Sequence, residues 1–333
     1  MTDVMQIEDM LRDDGQLAPG PVVITPLTGG VSCEIFRVEQ GTRRFVVKRA
    51  LARLRVAEEW LADTSRNETE FAFYEALSRT LAGAIPRVFF HNPQRGYFIM
   101  EDFGEGWQNW KTLLLGGVFE SAHGALAGTL LAKLHGGTWR QQALRERFDS
   151  RANFRQLRTD PYFRAAAARH PELRGLLLDE ADALERSGVC LIHGDFSPKN
   201  ILVSGGRMVL LDAEVACWGD PAFDVAFLQA HLFLKGLHFF PQHPDWEAVA
   251  AAAWDSYRNA MSARLEDGFG QCCVRTLAAL LIARVDGKSP VEYLSEKNRA
   301  NVRSAAATLL KEPPCDLRQA RDLWRTMIEM STI

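Results

Sequence analysis

An α+β chain, with a small β-rich part over residues 1–102 and a larger, mainly helical part over 103–333, follows from three observations. At 333 residues the chain exceeds a typical single core and fits two lobes or domains. Five short apolar runs occupy its first hundred residues: Val22–Leu27, Cys33–Glu39, Phe45–Lys48, Pro86–His91 and Tyr97–Met100. From about residue 105 the pattern changes to the 3.6-residue period of helices.

The first three runs, parted by Gly29-Gly30 and Gly41-Thr42, read as a β-meander. Apolar Phe71, Phe73, Tyr74, Leu77 and Leu81 make residues 66–81 a helix, and two more strands follow around a turn at 93–96. In the second part, Leu126, Leu130, Leu131 and Leu134 predict a helix over 122–135, stopped by Gly136-Gly137. A helix over 173–184 leads into short buried strands at 189–192, 201–203 and 208–211. Asp220 is placed to N-cap a helix with Pro221 at its first position. Helices over about 246–264, 269–285, 291–310 and 317–330 complete the chain, with Trp246, Trp254 and Trp324 read as core.

The segment His193-Gly194-Asp195-Phe196-Ser197-Pro198-Lys199-Asn200, followed by Asp212-Ala213-Glu214, carries most of the chemical information. Asp195 precedes Asn200 by five residues; Asp212 follows Asn200 by twelve, across a turn at Gly205-Gly206. Apolar strands on each side hold these polar residues on scaffold. An Asp can accept the proton of an attacking hydroxyl, while an Asn oxygen and a second Asp are hard ligands suited to Mg²⁺. An isolated His-Gly-Asp is common turn chemistry. Both spacings and the flanking strands together point to phosphoryl transfer.

These motifs resemble the HGDxxxxN and IDxE motifs of the aminoglycoside phosphotransferase and choline kinase group of small-molecule kinases, although a bulkier residue often stands where Ala213 is. The resemblance runs from Gly29 to about Leu294 and is specific over 193–224. It implies a two-lobed protein-kinase-like fold that binds ATP with Mg²⁺ between its lobes. Asp195 would orient and deprotonate the acceptor hydroxyl, Asn200 and Asp212 would hold Mg²⁺, and Glu214 would be a second-layer or second-metal ligand. Lys48 would clamp the nucleotide phosphates, aligned by Glu70, with Glu68 and Glu75 as lesser candidates. Gly29, Gly30 and Ser32 form either a phosphate-approaching turn or a plain hairpin turn. Glu101, Asp102 and Phe103 read as the hinge, meeting adenine through backbone groups, with side-chain identity of little consequence. Asp224 would be a buried acid bracing the loop of His193, with Asp220 beside it.

Composition bounds the acceptor and excludes other classes. A net charge of −3 argues against a nucleic-acid-binding domain, and no run is long enough to span a membrane. Six scattered cysteines without a C-x-x-C pair indicate reduced thiols and a cytoplasmic protein, and no zinc constellation is present. Arg284 and Asp286 either line the acceptor pocket, the reading preferred here, or serve the helix terminus and the turn after it. His231 and Lys235, four apart on one helical face, can reach that pocket or form a core-edge pair. A cationic acceptor would need surplus carboxylates from Glu214, Asp245, Glu247, Asp255, Glu266 and Asp267; a sugar or anionic acceptor suits Arg284 and His231 better. The competing readings are a metabolic sugar or amino-alcohol kinase (methylthioribose, choline or homoserine type), a non-catalytic nucleotide-binding protein, and a protein kinase. The last is opposed by the absence of an activation loop ending in Ala-Pro-Glu.

Overall fold

A computed structural model describes residues 2–27, 33–50 and 66–331. The chain divides into two compact units, Met1–Ser78 with Ile85–Gly106, and Arg79–Ala84 with Trp107–Ile333. The first opens with a helix that no expected element covers, α1 (Thr2–Asp13), followed by strands β1 (Val23–Pro26), β2 (Cys33–Gln40) and β3 (Arg43–Ala50). Helix α2 (Arg66–Leu77) precedes β4 (Val88–Asn92) and β5 (Tyr97–Glu101). The expected helix over 66–81 therefore ends at Leu77, and turns carry the chain through Gly83, whose φ is +73°.

The strands form one antiparallel sheet in the order β1-β2-β3-β5-β4. Side chains alternate between its faces. Phe36, Val38, Phe45, Val47, Tyr97 and Ile99 share one face and pack on Ile7, Met10 and Leu11 of α1. Burying each Val, Leu, Ile, Met or Phe side chain of this cluster contributes about 1.5–3 kcal/mol. Asp14, just past α1, accepts hydrogen bonds from the Tyr97 hydroxyl (2.6 Å) and Asn92 Nδ2 (2.9 Å), which ties the helix end to the sheet. Lys48, one residue after Val47 and paired in register with Phe98, falls on the opposite face. There Tyr74 of α2 meets Phe98 edge-on at 6.2 Å.

The second unit comprises β6 (Gln108–Asn109), α3 (Trp110–Leu115), α4 (Ser121–Thr138), α5 (Gln142–Arg147), α6 (Arg151–Phe154), a π-helical stretch Arg155–Arg164, α7 (Ala165–Arg169) and α8 (Arg174–Arg186). Strand β7 (Cys190–Ile192), the hairpin of β8 (Ile201–Ser204) and β9 (Arg207–Leu210), and β10 (Cys217–Gly219) follow. Then come α9 (Pro221–Phe239), α10 (Trp246–Met261), α11 (Phe269–Asp286), α12 (Glu296–Lys311) and α13 (Leu317–Met330). The helix expected from residue 291 starts at Glu296, because Ser295 caps it by accepting from Asn298 N. Trp246, Trp254 and Trp324 are buried, and no helix among the described residues is long and apolar enough to cross a membrane.

Helices α4 and α10 approach closely because α4 carries glycine at the contact. A Cβ on Gly124 would lie 2.1 Å from Val249 O, and one on Gly128 2.1 Å from Ala253 O. Both clashes are with backbone, which cannot rotate away. Gly128→Ala is expected to cost roughly 1–3 kcal/mol as the helices separate. Thermal or urea unfolding checks this; an unchanged midpoint would show that α10 slides without loss.

Candidate active site

The His193–Asn200 loop is suspended between two short pairings. β7 pairs antiparallel with β10 at its start, and β8 pairs with β9 at its end, turning at Gly205-Gly206. Helix α9 supplies the brace. Asp220 caps it by accepting from Ala222 N (2.9 Å), with Pro221 at the first helical position. One turn in, the fully buried Asp224 accepts from the backbone N–H groups of His193 (2.6 Å) and Gly194 (2.9 Å). His135 Nε2 of α4 reaches the same carboxylate at 3.2 Å and the Tyr257 hydroxyl of α10 meets His135 Nδ1 at 2.9 Å. Gly194 has φ +74°, and a Cβ there would lie 2.6 Å from Val215 O. Only glycine suits that position on both counts.

His193 orders the loop from within. Burial pushes its pKa down against the pull of Asp224, Asp195 and Asp212. The neutral ring accepts from Asp195 N at Nδ1 (3.2 Å) and donates from Nε2 to Leu211 O (3.1 Å). This links the Asp195 backbone to the residue before Asp212. Leu211 N donates to Asn200 O (2.8 Å), which draws Asn200 and Asp212 together. Asp212 has φ +66°, a conformation uncommon for a non-glycine residue and typical of functional positions.

Sequence reasoning did not assign Arg158 or Lys199 a role. Buried Arg158 donates from Nε to Gly194 O (2.5 Å) and places its guanidinium 3.1 Å from Asp195 Oδ2. It comes from the π-helical stretch, a feature that often marks functional positions. Lys199 Nζ lies 3.5 Å from Asp195 and 4.0 Å from Asp212, which limits repulsion between the two carboxylates. Burial alone would raise the Asp195 pKa, but Lys199 and Arg158 outweigh it and hold the group below its ordinary value. Asp195 is therefore a carboxylate at neutral pH. Glu214 is close enough to help raise the pKa values of Arg158 and Lys199. Lys199 stood inside the motif and could have been flagged by its one-turn spacing from Asp195. Nothing local distinguishes Arg158 from its many arginine neighbours.

In the first unit Lys48 and Glu70 are both buried, with Nζ 2.6 Å from Oε2. Tyr74 OH donates to the other Glu70 oxygen (2.8 Å). Glu68 instead meets His91 (2.9 Å). Gly29, Gly30 and Ser32 lie outside the described residues. At the segment read as a hinge, Glu101 pairs with Arg87 at an exposed position. The expectation that side-chain identity matters little there needs correction at Asp102. Its carboxylate, 4% exposed, binds Arg37 Nε (2.7 Å), Arg44 Nε (3.0 Å) and Gly104 N (2.9 Å), closing the turn after Phe103.

Arg284 and Asp286 do not act as a pair. Asp286 accepts from Arg303 Nε and Nη2 (2.9 Å each) and from His170 Nε2 (2.8 Å), so structural partners on α12 and after α7 occupy it. A bidentate arginine saturates the carboxylate and removes it from the pocket reading. Arg284 turns instead toward Ser289 and the Tyr162 hydroxyl, 3.3 Å away. His231 and Lys235 sit on α9, half-buried and buried respectively.

The brace makes a direct prediction. Asp224→Asn keeps the volume but substitutes an NH₂ for one accepting oxygen and removes the charge behind both loop hydrogen bonds. A loss of about 3 kcal/mol is expected in chemical denaturation. Native-like stability would show that the loop does not depend on this carboxylate.

A family model described as a phosphotransferase enzyme family matches residues 23–267. A methylthioribose kinase of Exiguobacterium sibiricum is 23% identical, the alignment spanning 92% of this chain and 92% of that protein. Among solved structures, choline kinase from Cryptosporidium parvum Iowa II is 12% identical with a TM-score of 0.53, over 99% of this chain and 94% of that one. A gentamicin–APH(2")-IIa complex is 15% identical with a TM-score of 0.50, over 98% and 95%. These structures share the α+β, protein-kinase-like fold, with its sheet-containing N-terminal unit and larger helical unit.

Proposed function

The chain belongs to the phosphotransferase enzyme family and is a small-molecule kinase; from that premise we propose the residues that move the γ-phosphoryl group of ATP to an acceptor hydroxyl. The observation that carries the assignment is the Asp195 carboxylate, held ionised by Arg158 and Lys199 on a loop braced by Asp224. In the reaction the acceptor oxygen bonds to Pγ as the Pγ–O bond to ADP breaks. Asp195 orients the hydroxyl and accepts its proton. Lys48, held by Glu70, supplies positive charge to the nucleotide phosphates.

The donor set fits Mg²⁺. Asn200 Nδ2 is engaged by the Asp195 carbonyl (3.0 Å), which leaves its side-chain oxygen as the ligating atom beside Asp212. Among the described residues no cluster of three or more ligating side chains forms a complete metal cage. Mg²⁺ in kinases is held by one or two protein oxygens together with phosphates, so two donors suffice. Bound by Asn200 and Asp212, with Glu214 nearby, Mg²⁺ would neutralise charge on the transferring phosphate.

The chain passes from Asp212 to the start of α9 at Pro221 without room for an activation loop, which supports a small-molecule acceptor over a protein. The methylthioribose kinase relative makes sugars one acceptor class to include. Aminoglycosides, choline, homoserine and hydroxy acids complete the panel for an assay of Mg²⁺-dependent ADP release. Asp195→Asn is expected to lower turnover by about 10²–10⁴-fold while Mg·ADP still binds. Full turnover by that variant would remove Asp195 from its assigned role.

A further inference from the structure

Helix α9 carries a buried lysine, Lys235, with no carboxylate partner among the described residues. Lys235 is 1% exposed; its Nζ lies 3.4 Å from His231 Nδ1 and 5.5 Å from the centre of the Tyr293 ring. No carboxylate among the described residues pairs with Lys235 or with Arg284. Burial, then repulsion from Arg284 and Lys111, brings the Lys235 pKa down to about 7. Burial and the charges of Lys235, Arg284, Lys199 and Lys111 also push His231 well below its ordinary value. Two further donors here, Arg284 Nε and the Tyr293 hydroxyl, are buried without a hydrogen-bond partner. Buried cations are ordinarily paired and buried donors ordinarily satisfied. These two unpartnered donors, on α11 and in the segment before α12, and the Lys235 ammonium on α9, which lacks a counter-charge, form a set that an anion would satisfy together.

This cluster is one layer of side chains from Asp195. Arg158, paired with Asp195, lies over the rings of Tyr162 (5.8 Å) and Phe227 (5.7 Å). Arg284 lies over Tyr162 at 5.8 Å, and the Phe227 ring is 5.1 Å from that of His231. Three of the six carboxylates named for a cationic acceptor are engaged elsewhere. Glu247 pairs with Arg325, Asp255 with Arg318 and Glu266 with Arg140, while Asp286 is held by Arg303 and His170.

We propose that Lys235, Arg284 and Tyr293 form a subsite for a carboxylate or phosphate on the acceptor whose hydroxyl Asp195 orients. The substrate class is then hydroxy acids or phosphorylated polyols, not amines. The proposal rests on the kinase reading above, whose transfer step is unchanged: acceptor oxygen to Pγ, ADP as leaving group, proton to Asp195. The anion supplies the counter-charge that Lys235 lacks and positions the hydroxyl.

The test uses the full chain at matched ionic strength, as wild type and as Lys48→Met, Lys235→Met and Arg284→Gln. Lys235→Met preserves length and removes a desolvated charge, so it should fold. Thermal shifts are read with inorganic phosphate, D-glycerate, ribose 5-phosphate, glycerol, choline and, separately, Mg·ADP. The anions should stabilise wild type and Lys48→Met but neither Lys235→Met nor Arg284→Gln, and glycerol and choline should do nothing. Glycerate against ribose 5-phosphate separates a carboxylate from a phosphate ligand. With an anionic acceptor that turns over, Lys235→Met should raise KM at least about tenfold, a loss of about 1.4 kcal/mol of binding. Anion shifts that survive in Lys235→Met, no anion shift in wild type, or a shift with choline alone would each overturn the subsite. The Mg·ADP shift reports separately on the kinase reading. Its persistence without anion shifts removes only the subsite, and its loss beside Lys235-dependent anion shifts removes only the nucleotide assignment.

Discussion

The contact on which the site most depends is the Asp224 carboxylate against the N–H groups of His193 and Gly194. A fully buried carboxylate is costly unless its lone pairs are engaged, and here backbone donors and His135 engage them. The same bonds fix two consecutive peptides of the loop, so the direction of the Asp195 side chain is set from behind. Because α9 carries Asp224 and α4 carries His135, the packing of two long helices is converted into the position of one loop. The glycines that let α4 approach α10 therefore stand upstream of the site's geometry.

The charges around Asp195 are arranged for ionisation. Arg158 and Lys199 together outweigh a desolvation cost that by itself would raise the pKa of the carboxylate. His193, neutral in its buried position, adds no competing cation and spends both ring nitrogens on backbone groups. The Lys48–Glu70 pair in the first unit follows a related logic. Two buried charges at 2.6 Å are tolerable because each has the other, with Tyr74 donating to the remaining Glu70 oxygen. Lys235 departs from this pattern, a buried lysine with no carboxylate partner among the described residues.

Much of the architecture was legible along the chain because period and punctuation are local signals. Alternation placed the strands, the 3.6-residue period placed the long helices, and Asp220-Pro221 marked the start of α9 before any contact was known. The N-terminal helix, with its modest apolar stripe of Ile7, Met10 and Leu11, gained its meaning only against the sheet face it covers. The helix expected from residue 291 was displaced to Glu296 by a Ser295 cap that periodicity alone does not see.

The sequence by itself determined the identity and spacing of the candidate reactive groups. Asp195, Asn200 and Asp212 stand at intervals that, with the apolar runs flanking them, fit a strand–loop–strand unit, and strand alternation set Lys48 on the face of α2. Only the tertiary structure decided how charges are partnered. Arg158 reaches Asp195 from 37 positions away, Asp286 is taken by Arg303 rather than joining Arg284, and Asp102 ties down two arginines of neighbouring strands. Local pattern reports which way a side chain faces, and therefore where it can be buried. Which opposite charge it meets depends on segments remote in sequence, and no periodicity encodes that.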